Sequence, residues 1–137
     1  MKSLPLFLLL LVPYGATHAQ QISTPEERIA RILETGLYEG HHQKLFGGMG
    51  DAAAVDITKV VRDGTLTSGQ MDCILLILNS AFVDSGAGEK RESGTALFVL
   101  EHLKLLTKDA SVQARIDETR NYILGTAGAP ARSATQK

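Results

Sequence analysis

The stretch TLTSGQMDCILLILNSAF, residues 65–82, decides the fold class of this chain. Its apolar side chains fall on nearly every side of a 3.6-residue period instead of on one stripe. Thr67, followed three residues later by Gln70, forms the capping-box pattern with which many helices begin. A helix that is apolar nearly all round is usually buried, so we predict that this segment is the central helix of an all-α domain.

Two helices are predicted before the central one. TPEE, residues 24–27, is a second capping box with proline at the first helical position, and it predicts a helix over residues 25–37. Asp51 is expected to cap the following helix, AAAVDITKVV, by accepting a hydrogen bond from its first turn. A short extra turn over residues 42–46 is expected between the two.

Two further helices are predicted after the central one. The first begins at Glu89, after a predicted loop at residues 84–88, and is weakened in its first turn by Gly94. Its inner apolar stripe is Ala96, Val99, Leu100, Leu103 and Leu106. The second, VQARIDETRNYI, is expected to be capped by Ser111. No segment alternates with the period of two that marks a strand. The chain is therefore predicted to be all-α, with about five helices joined by short connections and forming a compact bundle or a short α-solenoid of antiparallel neighbours.

The first 19 residues have the pattern of a secretory signal peptide. Lys2 precedes an apolar run that is too short to cross a bilayer, and small residues precede the expected cleavage after Ala19. Gln20 stands where a lipoprotein would carry its modified cysteine. The mature chain is therefore predicted to be exported, periplasmic or secreted, soluble and without a lipid anchor.

The remaining sequence predicts one all-α domain over residues 20–124 and a disordered tail over residues 125–137, which has no apolar periodicity. The chain has 14 basic and 15 acidic residues, and cleavage would remove Lys2. This balance gives no electrostatic attraction to nucleic acid or anionic lipid, so nucleic-acid binding is not expected. Membrane insertion is not expected either, because the apolar stretch at residues 71–82 is too short to span a bilayer. Cys73 is the one cysteine, which excludes an intramolecular disulfide.

Residues 47–124 carry a pattern that resembles the HEAT family of helical repeats. Gly50 with Asp51, and Asp109 with Val112, match residues that open the first and second helices of such a unit. The resemblance implies two helical hairpins, about 51–83 and 89–124, each a little shorter than the ~40–47 residues of a HEAT unit. It also implies a protein-binding or scaffolding surface and no specific chemistry.

Glu39, His41 and His42 are the candidate metal ligands. Glu39 and His42 have the Glu-x-x-His spacing of carboxylate-bridged di-iron sites, but the chain has no second copy of that motif. A zinc site built from the two histidines and a distant ligand such as His102 is the alternative. Adjacent histidines on a regular helix point about 100° apart, which argues against this zinc site. The sequence therefore predicts no metal and no cofactor, with these residues in a connecting loop or helix end.

Two other stretches contain residue types that catalytic or phosphate-binding sites use. FGGMGD, residues 46–51, precedes a helix start where amide groups can hold a phosphate, but Asp51 brings its own negative charge and the Gly-Lys-Ser/Thr ending of a P-loop is missing. Cys73 lies in the most apolar helix, where a thiol usually behaves as a small buried hydrophobe instead of a nucleophile. No catalytic residue is therefore predicted.

These observations predict a small exported helical protein-interaction module without catalytic activity, whose partner is another protein. One alternative is a periplasmic immunity or inhibitor protein for a co-encoded toxin, suggested by size, export and helical build. The other alternative is a metal-binding protein that uses the His41 and His42 region.

Overall fold

The computed structural model describes residues 23–61, 65–83, 92–126, 128 and 130. These residues contain no strand, which confirms the all-α prediction. The predicted signal peptide (residues 1–19), the predicted loop at 84–88 and most of the predicted tail lie outside the described residues. None of the described helices is both long and apolar enough to span a membrane. The six helices are α1 (Pro25–Thr35), α2 (Gly40–Phe46), α3 (Asp51–Val60), α4 (Ser68–Ala81), α5 (Gly94–Leu106) and α6 (Ala110–Leu124).

The sixth helix is α2, where only a short turn was expected. Its sequence, GHHQKLF, begins with glycine and two histidines, which are poor helix formers. Its stability comes instead from tertiary packing: Phe46 and His42 are buried, and the helix packs against α4.

Both predicted capping boxes are confirmed. Thr24 Oγ1 accepts a hydrogen bond from the Glu27 amide at 3.1 Å, and the Thr24 amide donates to Glu27 Oε1 at 3.0 Å. Thr67 and Gln70 form the same reciprocal pair at the start of α4. Helix α1 ends at Thr35, two residues earlier than predicted, because Gly36 adopts φ +74° and terminates it in the left-handed conformation.

The helices pack in two rows. In one row α3 lies between α1 and α5, and in the other α4 lies between α2 and α6. Across the rows, α3 packs on α4, α5 packs on α6, and α1 also contacts α4. Consecutive helices therefore pack on each other within the two predicted hairpins, α3 on α4 and α5 on α6, whereas α4 and α5 are not among each other's main neighbours. The buried residues of α4 are Met71, Cys73, Ile74, Leu75, Ile77, Leu78, Ser80 and Ala81.

Two capping predictions were wrong in detail. The N-cap residue of α3 is Gly50, and Asp51 is the first residue of the helix instead of its cap. Its carboxylate instead accepts hydrogen bonds from the first amides of α5, Thr95 N at 3.0 Å and Ala96 N at 2.7 Å. In α6 the cap is Asp109, which accepts from the Ser111 amide at 2.9 Å, so Ser111 is a donor where it was expected to be the cap.

Gly50 makes the position of Asp51 possible. Its backbone, at φ +59° and ψ −133°, lies in a region that side chains disfavour. In this conformation the Gly50 amide donates to the carbonyl of Ala81, the last residue of α4, at 2.8 Å. The Gly50 amide therefore links the start of α3 to the end of α4 by a hydrogen bond, and the Asp51 carboxylate links α3 to the start of α5.

We expect Asp51→Ala to lower the free energy of unfolding by about 2 kcal/mol, because it leaves two helix-start amides without their charged acceptor. Urea denaturation followed by circular dichroism measures this loss. Asp117→Ala is the matched control: its carboxylate pairs with Lys104 at 2.9 Å on the surface, and its loss should cost less than about 1 kcal/mol. Equal losses in the two variants would contradict the assigned role of Asp51.

Candidate functional site

The three predicted metal-ligand candidates lie together where the α1–α2 connection enters α2. Glu39 is the N-cap residue of α2, but its carboxylate makes no cap hydrogen bond. Its Oε1 lies 3.6 Å from His41 Nδ1, and the imidazole rings of His41 and His42 have centroids 4.2 Å apart. One ligand atom from each of the three residues lies within 4.8 Å of the others. The two adjacent histidines therefore converge, although a regular helix would separate their directions.

His42 is the buried member of this cluster, with 5 % of its surface exposed. Its Nδ1 is buried without a hydrogen-bond partner. The pKa of His42 is lowered from 6.5 to about 4, chiefly by burial and also by the nearby His41 and Arg28 charges, while Glu39 opposes the change. The imidazole is therefore neutral near pH 7 and carries a free electron pair.

Tyr38 fixes the chain just before the cluster. Its buried hydroxyl forms a hydrogen bond with the hydroxyl of Ser80 on α4, 42 residues away in sequence. The Tyr38 ring also lies 5.3 Å from the His42 ring, at an angle of 44°. The cluster is thus attached to the central helix through buried side chains, although Glu39 and His41 themselves are exposed.

His102, the distant ligand considered from the sequence, is not part of this cluster. It lies on α5, where its ring stacks against Phe98 with centroids 6.4 Å apart and planes 12° apart. The structure therefore brings together Glu39, His41 and His42 and leaves His102 in another environment.

Phe98, His102 and Leu105 form an exposed stripe that we call the α5 outer face. Phe98 is 66 % exposed and Leu105 is 80 % exposed. The spacing of four and three residues places them on one side of the helix. A cavity of ≈ 50 Å³ adjoins this stripe between α3 and α5, lined by Ile57, Thr58, Val61, Leu66, Ile74, Phe98, Val99, His102 and Leu103.

The sequence pattern did not identify this face. It predicted an inner stripe, of which Ala96, Val99, Leu100 and Leu103 are buried and Leu106 is half-buried. A residue outside the inner stripe can still be covered by another helix. The one hint in the sequence was that Phe98 and Leu105 lie outside the inner stripe. That position alone does not show whether a side chain is covered by another helix or exposed.

A narrow groove lies between α4 and α6. At one side Arg115 makes a bidentate ion pair with Asp72, at 2.8 and 3.1 Å. Asn79 Oδ1 is buried in the same region without a hydrogen-bond partner.

Cys73, on α4, is buried, and burial together with the Asp72 charge raises the pKa of its thiol. The thiol is therefore protonated at neutral pH, as expected of a buried hydrophobe.

We expect the metal-free protein to lose stability as the pH falls from 6.5 to 4. In the unfolded chain His42 takes up a proton near its ordinary pKa of 6.5, whereas in the folded chain it does so only near 4. The unfolded state therefore binds more protons in this interval, and the loss reaches about 3 kcal/mol.

Urea denaturation in EDTA at a series of pH values tests this expectation. Carboxylates also titrate near pH 4, so the comparison is between His42→Gln, which should lose most of the dependence above pH 5, and His102→Gln, which should retain it. The same decline in both variants would show that His42 is not its cause.

Comparison with protein-family models, with curated proteins and with solved structures gave no match.

Proposed function

We propose that this chain is a small exported protein-interaction module without catalytic activity, and that it binds a partner protein through the α5 outer face. Export is proposed from the signal-peptide pattern of residues 1–19. The observation that carries the binding proposal is the exposure of Phe98 and Leu105 on one side of α5.

These two side chains are of the kind that dominate protein interfaces. Burying apolar surface contributes about 25 cal/mol per Å², so a Phe and a Leu buried together are worth several kcal/mol. Aromatic side chains at the centre of an interface are among the residues whose removal costs most binding energy. Next to Phe98, the small cavity between α3 and α5 offers room for an apolar side chain from the partner.

The position of α5 in the packing favours a helical partner. In the described part of the chain α5 ends the row formed with α1 and α3. One side of α5 packs against α3, and a helix of the partner could therefore pack against the opposite side of α5. The partner surface we propose is an amphipathic helix whose apolar residues recur every three to four positions and cover Phe98 and Leu105.

We further propose that the four helices within residues 47–124 form a short HEAT-like array, with α3–α4 and α5–α6 as its two hairpins. The contacts of α3 with α5 and of α4 with α6 support this arrangement, since stacked hairpins bring together helices two apart in sequence. In such an array a hairpin side that no neighbouring unit covers needs a cap or a partner, and no other described helix covers the outer side of α5.

The double variant Phe98→Lys with Leu105→Lys should lose the partner. Both side chains are exposed, so the fold should persist, while two charges in a desolvated interface oppose binding. The protein is coupled to beads and incubated with envelope and medium extracts of the source cell, and bound proteins are quantified by mass spectrometry. Circular dichroism and thermal melting establish that each variant is folded.

Leu37→Lys is the matched control, since Leu37 is 60 % exposed and lies after α1. It should retain the partner that wild type captures. Equal retention by the double variant, or equal loss in the control, would contradict the α5 outer face as the docking surface. A captured enzyme that the chain inhibits would identify an inhibitor, whereas a substrate turned over by the chain itself would contradict the non-catalytic part of the proposal.

A further inference from the structure

Glu39, His41 and His42 have the composition and spacing of a cation site. Two imidazole nitrogens and one carboxylate oxygen are a donor set that zinc and neighbouring divalent metals accept. All three donors come from four consecutive residues, and their ligand atoms lie within 4.8 Å of one another. We infer that these residues bind one divalent transition-metal ion of the zinc type.

The required adjustment is small. Donor atoms on a tetrahedral zinc lie about 3.4 Å apart, since each is about 2.0–2.1 Å from the metal. The side chains of Glu39 and His41 are 62 % and 58 % exposed, so both can rotate toward the ion without displacing buried groups. Three protein ligands leave a fourth position on the solvent side for water or for a group from another molecule.

His42 distinguishes this cluster from a chance group of surface residues. Its ring is buried, yet Nδ1 has no hydrogen-bond partner, whereas buried polar atoms normally have one. The adjacent Tyr38, held by its hydrogen bond to Ser80, limits movement of the ring. The His42 imidazole is thus a positioned donor to which the exposed Glu39 and His41 can add.

The local charge sets the expected strength of binding. Glu39 supplies one negative charge, while the positive charge of Arg28 on α1 opposes a positive charge at His42. A neighbouring positive charge opposes a bound cation. We therefore expect the Arg28→Gln variant to bind the metal more tightly than wild type. If the metal bound only to exposed histidines elsewhere, this substitution would not change the affinity.

The experiment uses the protein without a histidine tag, expressed with its own N-terminal segment and freed of metal with EDTA. Zinc binding is measured by titration calorimetry and by elemental analysis after dialysis. Wild type should hold one zinc per chain. Its melting temperature should rise by on the order of 10 °C when free zinc is about 100 times the dissociation constant. Cobalt should give the visible absorption bands of a low-symmetry, four-coordinate ion.

Glu39→Gln and His41→Gln change exposed side chains, so they should fold as wild type does while losing at least about tenfold in affinity. His102→Gln removes an exposed histidine outside the cluster and should bind as wild type does. A stoichiometry well below one, no thermal shift, or equal weakening by His102→Gln would overturn the inference. The Phe98→Lys with Leu105→Lys variant should bind zinc normally, so the metal site and the docking face are tested independently.

Discussion

Helix α4 must be covered on almost every side, and the arrangement of the other helices follows from that requirement. Eight of its 14 residues are buried, and fully burying a side chain such as Leu or Ile contributes about 1.5–3 kcal/mol. Helices α1, α2, α3 and α6 all pack on it. Helix α5 is not among its principal neighbours and packs on α3 and α6 instead. That position at the end of a row leaves one side of α5 uncovered by the other described helices.

Sequence patterns within one helix were sufficient to predict interactions between residues that are close in sequence. The capping boxes at Thr24 and Thr67 join residues three apart, so the pattern contains both partners. The partners of Asp51 lie 44 and 45 residues further along the chain, and no local pattern contains them. Helix α2 was underestimated for a similar reason, since its residues favour a helix weakly and its packing on α4 decides the outcome.

The same distinction applies to the two functional surfaces. Glu39, His41 and His42 could be selected by residue type and spacing, but their convergence depends on side-chain directions at a helix start that Tyr38 and Ser80 hold in place. Phe98 and Leu105 could be placed outside the inner stripe of α5. Their exposure depends on which helices cover that side, and this is a property of the whole fold.

The carboxylate of Asp51 also determines how the two hairpins depend on each other. Ser93, the N-cap residue of α5, makes no side-chain cap, so the first amides of α5 rely on an acceptor carried by α3. An α5–α6 hairpin that formed alone would begin with those amides exposed to water and its first turn frayed. Because α3 precedes α5 along the chain, a first hairpin that has already folded supplies this acceptor to the helix that follows. The order of the hairpins along the chain therefore suits sequential folding, in which each hairpin is stabilised by docking on the one before it.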